Sequence, residues 1–167
     1  MSTPNILLTR IDNRLIHGQV GVTWTNSLGA NLVVVANDEA ANDLVQQSLM
    51  DMVMSDGVQT RYFTLQKTID VIYKAAERQK IFIVCKTPHD VLELVKGNVP
   101  INFVNIGNMH FSEGKRQIHK TVAVDKDDIE AFIELKKRGI PCEIRRVPDE
   151  SGEDITNLLN DRSEYVY

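Results

Sequence analysis

Four glycines, Gly29, Gly57, Gly97 and Gly139, each separate a stretch of helical periodicity from a short apolar run that follows it. Glycine at these points takes the backbone conformation that ends a helix. The run 32–36 is apolar throughout, and 80–85 is apolar after its first residue, so neither alternates as a half-exposed strand would. Both read as strands covered on two faces. Strand, helix, glycine, strand, repeated along the chain, is the pattern of βαβ units. The expected fold class is therefore α/β: one domain, an open, mostly parallel twisted sheet of about seven strands, with helices on both faces.

The expected strands are 5–10, 32–36, 58–63, 80–85, 101–106, 121–124 and 142–147, with 58–63 at an edge because it is less apolar. A helix runs over 18–28. Asp38 caps the next, in which Leu44, Val45, Ser48, Leu49, Met52 and Val53 share one face and which Gly57 ends. Thr64 caps a helix with the stripe Leu65, Ile69, Ile72 and Ala76. Thr87 caps another, with Pro88 at its first position. Asp125 caps a helix bearing Ile129, Phe132, Ile133 and Leu135, and a short helix covers 154–159. Residues 107–119 read as a long basic loop. The domain is expected over 1–160, followed by a polar tail, 161–167.

Composition narrows the function. A net charge of −4 argues against a nucleic-acid binder held by phosphate contacts. No apolar stretch approaches the roughly 20 residues that cross a bilayer, and the first residues lack a basic segment and apolar signal core, so the expected location is cytoplasmic with no direct membrane insertion. Cys85 and Cys142 have no metal or redox spacing and read as reduced core thiols. No histidine and acidic cluster has metal-ligand spacing, so no metal and no cofactor is expected. Nucleotide P-loop and dinucleotide glycine motifs are absent.

Ligands of open parallel sheets bind outside the carboxyl ends of the strands. Those ends read Arg10-Ile11-Asp12, Asn37-Asp38, Lys86-Thr87 and Gly107-Asn108 here. The first opens the loop Arg10-Ile11-Asp12-Asn13-Arg14-Leu15-Ile16-His17-Gly18-Gln19-Val20, which runs into a helix N-terminus. His17 there should be neutral and nucleophilic, because a helix N-terminus disfavours imidazolium. Arg14 is the candidate phosphate clamp, and the N–H groups of Gly18 and Gln19 are candidate donors to an anion. Asp12 orients His17, accepts a proton or forms an Asx turn. Arg10 either joins the site or pairs with Asp12 to hold the loop. Thr87 caps its helix, and its hydroxyl is a secondary site candidate. His89 is expected to be exposed. His110 and His119 bracket the basic segment with Lys115, Arg116 and Lys120, which either docks an acidic partner or is simply solvated.

The loop from Arg10 to Val20 resembles the active-site loop of the IIB components of the mannose–fructose–sorbose family of bacterial sugar phosphotransferase systems. The segments Val35-Ala36-Asn37-Asp38, Lys86-Thr87-Pro88 and Val104-Asn105-Ile106-Gly107-Asn108-Met109-His110 extend the likeness along the chain, most closely to the N-acetylgalactosamine and galactosamine branch. The resemblance implies a mostly parallel α/β sheet and a phosphohistidine at Nδ1 of His17. A IIA protein would donate the phosphoryl group. His17 would pass it to a sugar of the N-acetylgalactosamine, galactosamine or mannose class, taken up through membrane subunits IIC and IID. Arg14 falls on the family's arginine position, whereas Asn13 stands where an acidic residue is common. No IIA module precedes the loop, so the donor is expected to be a separate chain. The alternatives are phosphotransfer on Cys85, as some unrelated IIB families use cysteine, and a non-enzymatic module that binds an anion at the same loop.

Overall fold

The computed structural model describes residues 3–160; the expected tail, 161–167, lies outside them. Strand β1 (Asn5–Asp12) leads to helix α1 (Gly18–Leu28) and strand β2 (Leu32–Ala36). Helices α2 (Asp38–Ala41) and α3 (Leu44–Val53) precede β3 (Gln59–Phe63), and α4 (Leu65–Val71) with a 3₁₀ turn (Ile72–Lys74) precedes β4 (Lys80–Cys85). Next come α5 (Pro88–Lys96), β5 (Val104–Asn108), and the short strands β6 (Arg116–His119) and β7 (Val122–Val124). Helix α6 (Lys126–Lys137), β8 (Cys142–Ile144), β9 (Glu153–Asp154) and α7 (Ile155–Asn160) complete the order.

Seven strands form one sheet in the order β3-β2-β4-β1-β5-β8-β9, parallel except where β9 runs against β8. The expected edge strand, β3, is at an edge. The continuously apolar strands divide their side chains between two cores. Val33, Val35, Phe82 and Val84 pack with Trp24, Ala40 and Met50 under α1, α2 and α3. Leu32, Val34, Ile81 and Ile83 pack on the other face with Leu65, Val91, Phe132 and Ile155 of α4 to α7. The adjacent strands β1 and β4 thus lead into helices on opposite faces, and their carboxyl ends flank the switch point where such sheets bind ligands.

Several expectations need correction. Residues 38–53 form two helices, not one: Asn37 caps α2 by accepting from Ala40 N at 2.8 Å, and Asp43 caps α3 by accepting from Gln46 N. Asp38 caps neither; its Oδ1 accepts from Leu65 N at 2.9 Å and ties α2 to α4. The apolar side chains spaced along α3 face outward, with Leu44, Val45, Leu49 and Met52 exposed and Met50 as the buried member. Residues 121–124 supply no strand to the main sheet, since β7 pairs antiparallel with β6 in a separate hairpin cut from the expected loop. Strand β8 also stops at Ile144, short of Val147.

Candidate active site

Strand β1 delivers the charged loop to the carboxyl edge. The chain turns as Leu15 N donates to the Asp12 carbonyl at 2.8 Å, and Asp12 Oδ1 accepts from Arg14 N at 3.0 Å, an Asx arrangement. Leu15 has φ +60°, a conformation that costs a non-glycine residue roughly 1–2 kcal/mol. Its side chain is held there by burial with Ile16 among Val33, Phe82 and Val84. Strain of this kind persists only where packing over-determines it.

His17 is the N-cap residue of α1, with extended backbone and a ring that makes no capping bond. Gly18 follows with φ +48°, and since a Cβ there would touch nothing within 4 Å, the need for glycine is conformational. The first bond of the helix runs from Gly21 N to the His17 carbonyl. The N–H groups of Gly18, Gln19 and Val20 therefore have no intrahelical acceptor and open outward beside the ring.

Arg10 lies beneath the loop, only 3% exposed. Its Nη2 donates to Asp12 Oδ2 at 3.2 Å and its Nη1 to Asn105 Oδ1 at 2.6 Å. The carbonyls of Arg145 and Arg146 accept from the same guanidinium at 3.1 and 3.2 Å. Trp24 covers one face at 5.2 Å from its ring centre and donates from Nε1 to the Arg146 carbonyl at 2.9 Å. Gly107 closes the other side: a Cβ there would sit 2.0 Å from Nη2. Pairing of β1 with β5 slips by one residue here, so that Gly107 forms a bulge against the arginine. Of the two readings left for Arg10, the structure contains the pairing with Asp12.

Asp12 is fully buried, and its Oδ2 lies 3.9 Å from His17 Nδ1. That nitrogen is enclosed and has no hydrogen-bond partner, while the ring keeps 26% exposure along its outer edge. Burial holds the imidazole pKa below its ordinary value. The Asp12 charge opposes that shift, and the charges of Arg14 and Arg10 add to it. The ring is thus neutral at neutral pH, as a nucleophile must be. Protonation of the ring should accordingly set in only below the usual histidine range near 6.5. In Asp12→Asn the midpoint should move lower still, because the one charge favouring imidazolium is gone. Imidazole shifts followed by NMR between pH 5 and 8 check both arms.

Arg14 is half exposed and reaches Asp12 Oδ1 only at 3.4 Å from Nε, so its guanidinium is free to turn toward an anion. Thr87 follows the end of β4, which pairs with β1 through Ile11 and Cys85. Its hydroxyl accepts from Asp90 N at 3.1 Å as the cap of α5, and its side chain borders a cleft of about 160 Å³ with Asn13, Lys86, His110 and Lys115. Asn13 N donates to the Asn108 carbonyl at 3.0 Å, and Asn108 Nδ2 donates to Asn13 Oδ1, so β5 anchors the loop. His89 and His110 are exposed, and His119 approaches Glu153 at 3.8 Å. Among the described residues no group of three His, Cys, Asp or Glu side chains converges as metal ligands would. Cys85 is fully buried, and burial pushes its thiol well above its ordinary pKa, which leaves no thiolate to accept a phosphoryl group.

The sequence matches the family of PTS (phosphotransferase system) sorbose subfamily IIB components over residues 6–166. The chain belongs to this family. It is 60% identical over 156 residues to the N-acetylgalactosamine-specific phosphotransferase enzyme IIB component 2 of Escherichia coli K12, covering 93% of this chain and 99% of that protein. The crystal structure of the N-acetylgalactosamine-specific IIB component 1 from Escherichia coli superposes with a TM-score of 0.86 at 54% identity, over 89% of this chain and 98% of the other. The mannose-specific EIIAB component of Escherichia coli K12 is 39% identical over 92% of this chain, which spans 48% of that protein. IIB components transfer phosphoryl groups to sugars and work with IIA proteins and membrane subunits. Among the described residues of this IIB component no helix is long and apolar enough to cross a membrane.

The arginine cradle is the part of this IIB site that the sequence reading missed. Trp24, Asn105, Gly107 and two backbone carbonyls from 145–146 form it. Only Asn105 gave a signal, as an amide between Val104 and Ile106 of β5, because a buried amide demands a polar partner.

Proposed function

We propose that His17 carries the phosphoryl group. The supporting observation is a neutral, partly exposed imidazole placed where the unpaired N–H groups of α1 open, with the half-exposed Arg14 guanidinium on the same loop. Phosphoryl transfer depends mainly on positioning and charge stabilisation, which these groups supply. The donor is a phosphorylated IIA protein: its phosphorus–nitrogen bond breaks as a new one forms to His17 Nδ1. Because Nδ1 faces Asp12, the ring turns over to present it, which brings the protonated Nε2 toward the carboxylate. Asp12 acts as a positioning residue, since it is enclosed and already accepts from Arg10 and Arg14. Arg14 and the N–H groups of Gly18 and Gln19 hold the phosphoryl oxygens.

In the second step a sugar hydroxyl attacks the phosphorus, the bond to His17 breaks, and the hydroxyl's proton passes to a carboxylate of the membrane subunits. The activity is thus protein-Nπ-phosphohistidine–sugar phosphotransfer. The names of the two Escherichia coli relatives above favour N-acetylgalactosamine, with galactosamine or a mannose-class hexose also in range. The sugar enters through IIC and IID, and this subunit works in the cytoplasm, peripherally bound to them.

The test is incubation with a phosphorylated IIA donor. An acid-labile, base-stable label with the ³¹P–¹⁵N coupling of an Nδ1 phosphohistidine is expected, whereas a label on Cys85 or no covalent label would overturn the proposal. Arg14→Ala should slow uptake about 10²–10³-fold, the usual loss for one transition-state donor, and leave the melting temperature unchanged.

A further inference from the structure

Helix α3 turns its apolar stripe to solvent: Leu44, Val45, Leu49 and Met52 are between 60 and 81% exposed, with Ser48 among them. Scattered apolar side chains on a surface are ordinary, but a continuous stripe along one helix marks a contact face. Two further observations say what covers it. From Asn37 to Gly57 the charges are Asp38, Glu39, Asp43, Asp51 and Asp56, with no lysine or arginine. The neighbouring helix α1, which begins at the residue after His17 and packs on α3, carries no charged residue along its length. An uncharged face beside the site thus runs into an apolar stripe on an acidic segment, whose Glu39 meets Lys86 at 3.9 Å and whose Asp51 and Asp56 share a cleft with Arg61.

A stripe on an acidic segment fits an apolar surface rimmed by basic groups. It does not fit an anionic lipid surface, which would repel it, nor a second copy of itself, which would set acid against acid. Membrane proteins concentrate lysine and arginine in the loops they present to the cytoplasm. We infer that the outer face of α3 docks this carrier, with the edge of α1, onto the basic cytoplasmic loops of the membrane sugar-translocating subunits. This inference rests on the proposed cytoplasmic role with those subunits. Four large side chains fall well short of the roughly 20–30 residues a side of a standard stable interface. A transient contact is what a carrier needs if it must leave to be recharged. The basic segment around His110, Lys115 and Lys120 lies across the site, beyond the end of β5, and leaves α3 free for this use.

The test is the triple variant Val45→Gln, Leu49→Gln, Met52→Gln, all exposed positions outside the phosphoryl site. In inverted vesicles bearing IIC and IID, half-maximal sugar phosphorylation should need about tenfold more of the variant, while uptake of label from a phosphorylated IIA donor stays at the native rate. That uptake, measured without membranes, separates failure of docking from failure of His17 as the carrier. Ser48→Lys should weaken the coupling and Ser48→Glu should not. Unchanged concentration dependence in the vesicles would overturn the inference. So would loss of IIA uptake instead, which would assign the face to the donor. Equal loss with lysine and glutamate would exclude a basic partner. A native dimer by light scattering that the triple variant dissolves would assign the stripe to self-association.

Discussion

In His17→Ala, label from a phosphorylated IIA donor should fall to background and sugar phosphorylation should stop, while the fold stays unchanged. The chemical loss should be complete because Cys85 is sealed in the core with a raised pKa, and the other described histidines, His89, His110 and His119, belong to other segments and none is the N-cap of α1. The structural cost should be small because Nδ1 has no hydrogen-bond partner and Asp12 keeps its arginine partners. Stability should change by no more than about 0.5 kcal/mol. Label retained in the alanine variant would sink the assignment. Label lost together with cooperative unfolding would mean the ring holds the loop, which the unpartnered Nδ1 argues against.

Arg10→Met should produce the largest loss of stability among the site residues. Methionine fills part of the space under Trp24 but supplies none of the bonds to Asp12, Asn105 and two carbonyls. The Asp12 carboxylate is then buried with a weak partner, because Arg14 reaches it at only 3.4 Å from Nε. Breaking a buried charge pair by removing one member costs about 3–5 kcal/mol. For a domain of this size that lowers the melting temperature on the order of 10 °C. Phosphoryl uptake should fall too, since Asp12 no longer holds the loop.

Gly107→Ala separates the two effects, for it retains the arginine and only pushes it. The new Cβ would lie 2.0 Å from Nη2, so the guanidinium or the bulge must move. Uptake slowed in Gly107→Ala with a smaller thermal shift than in Arg10→Met is the expected pattern. Denaturant midpoints and uptake rates on the two variants measure it. A native melting temperature in Arg10→Met would show that the cradle does not hold the loop.

Much of this architecture was legible before any coordinates. The threonine and aspartate caps at Thr64, Thr87 and Asp125 act within three or four residues, and each falls where expected; Gly29 and Gly97 end their helices, whereas α3 stops at Met54, short of Gly57. The stretch after Gly29 misled for an equally local reason. Helical spacing shows that Leu44, Val45, Leu49 and Met52 share a face, but not whether that face turns toward the sheet. Met50, on the opposite side, is the residue that found the core. Asn37 and Asp43 are both cap-forming residue types, and only the packing of Ala40 and Met50 under one core made each of them a cap.

The sequence by itself determined the order of elements, the parallel class of the sheet and the loop that meets a helix N-terminus at its carboxyl edge. Those are consequences of backbone preference and side-chain period, which are written over short distances. Tertiary structure alone decided what each charge in that loop does. Arg10 is bound by residues up to 136 positions away, which converts a candidate anion ligand into the buried support of Asp12. Asp12 in turn faces His17, and Arg14 is left outside with room to move. Whether a charge is buried or free depends on which distant segments fold over it, and no local pattern carries that information.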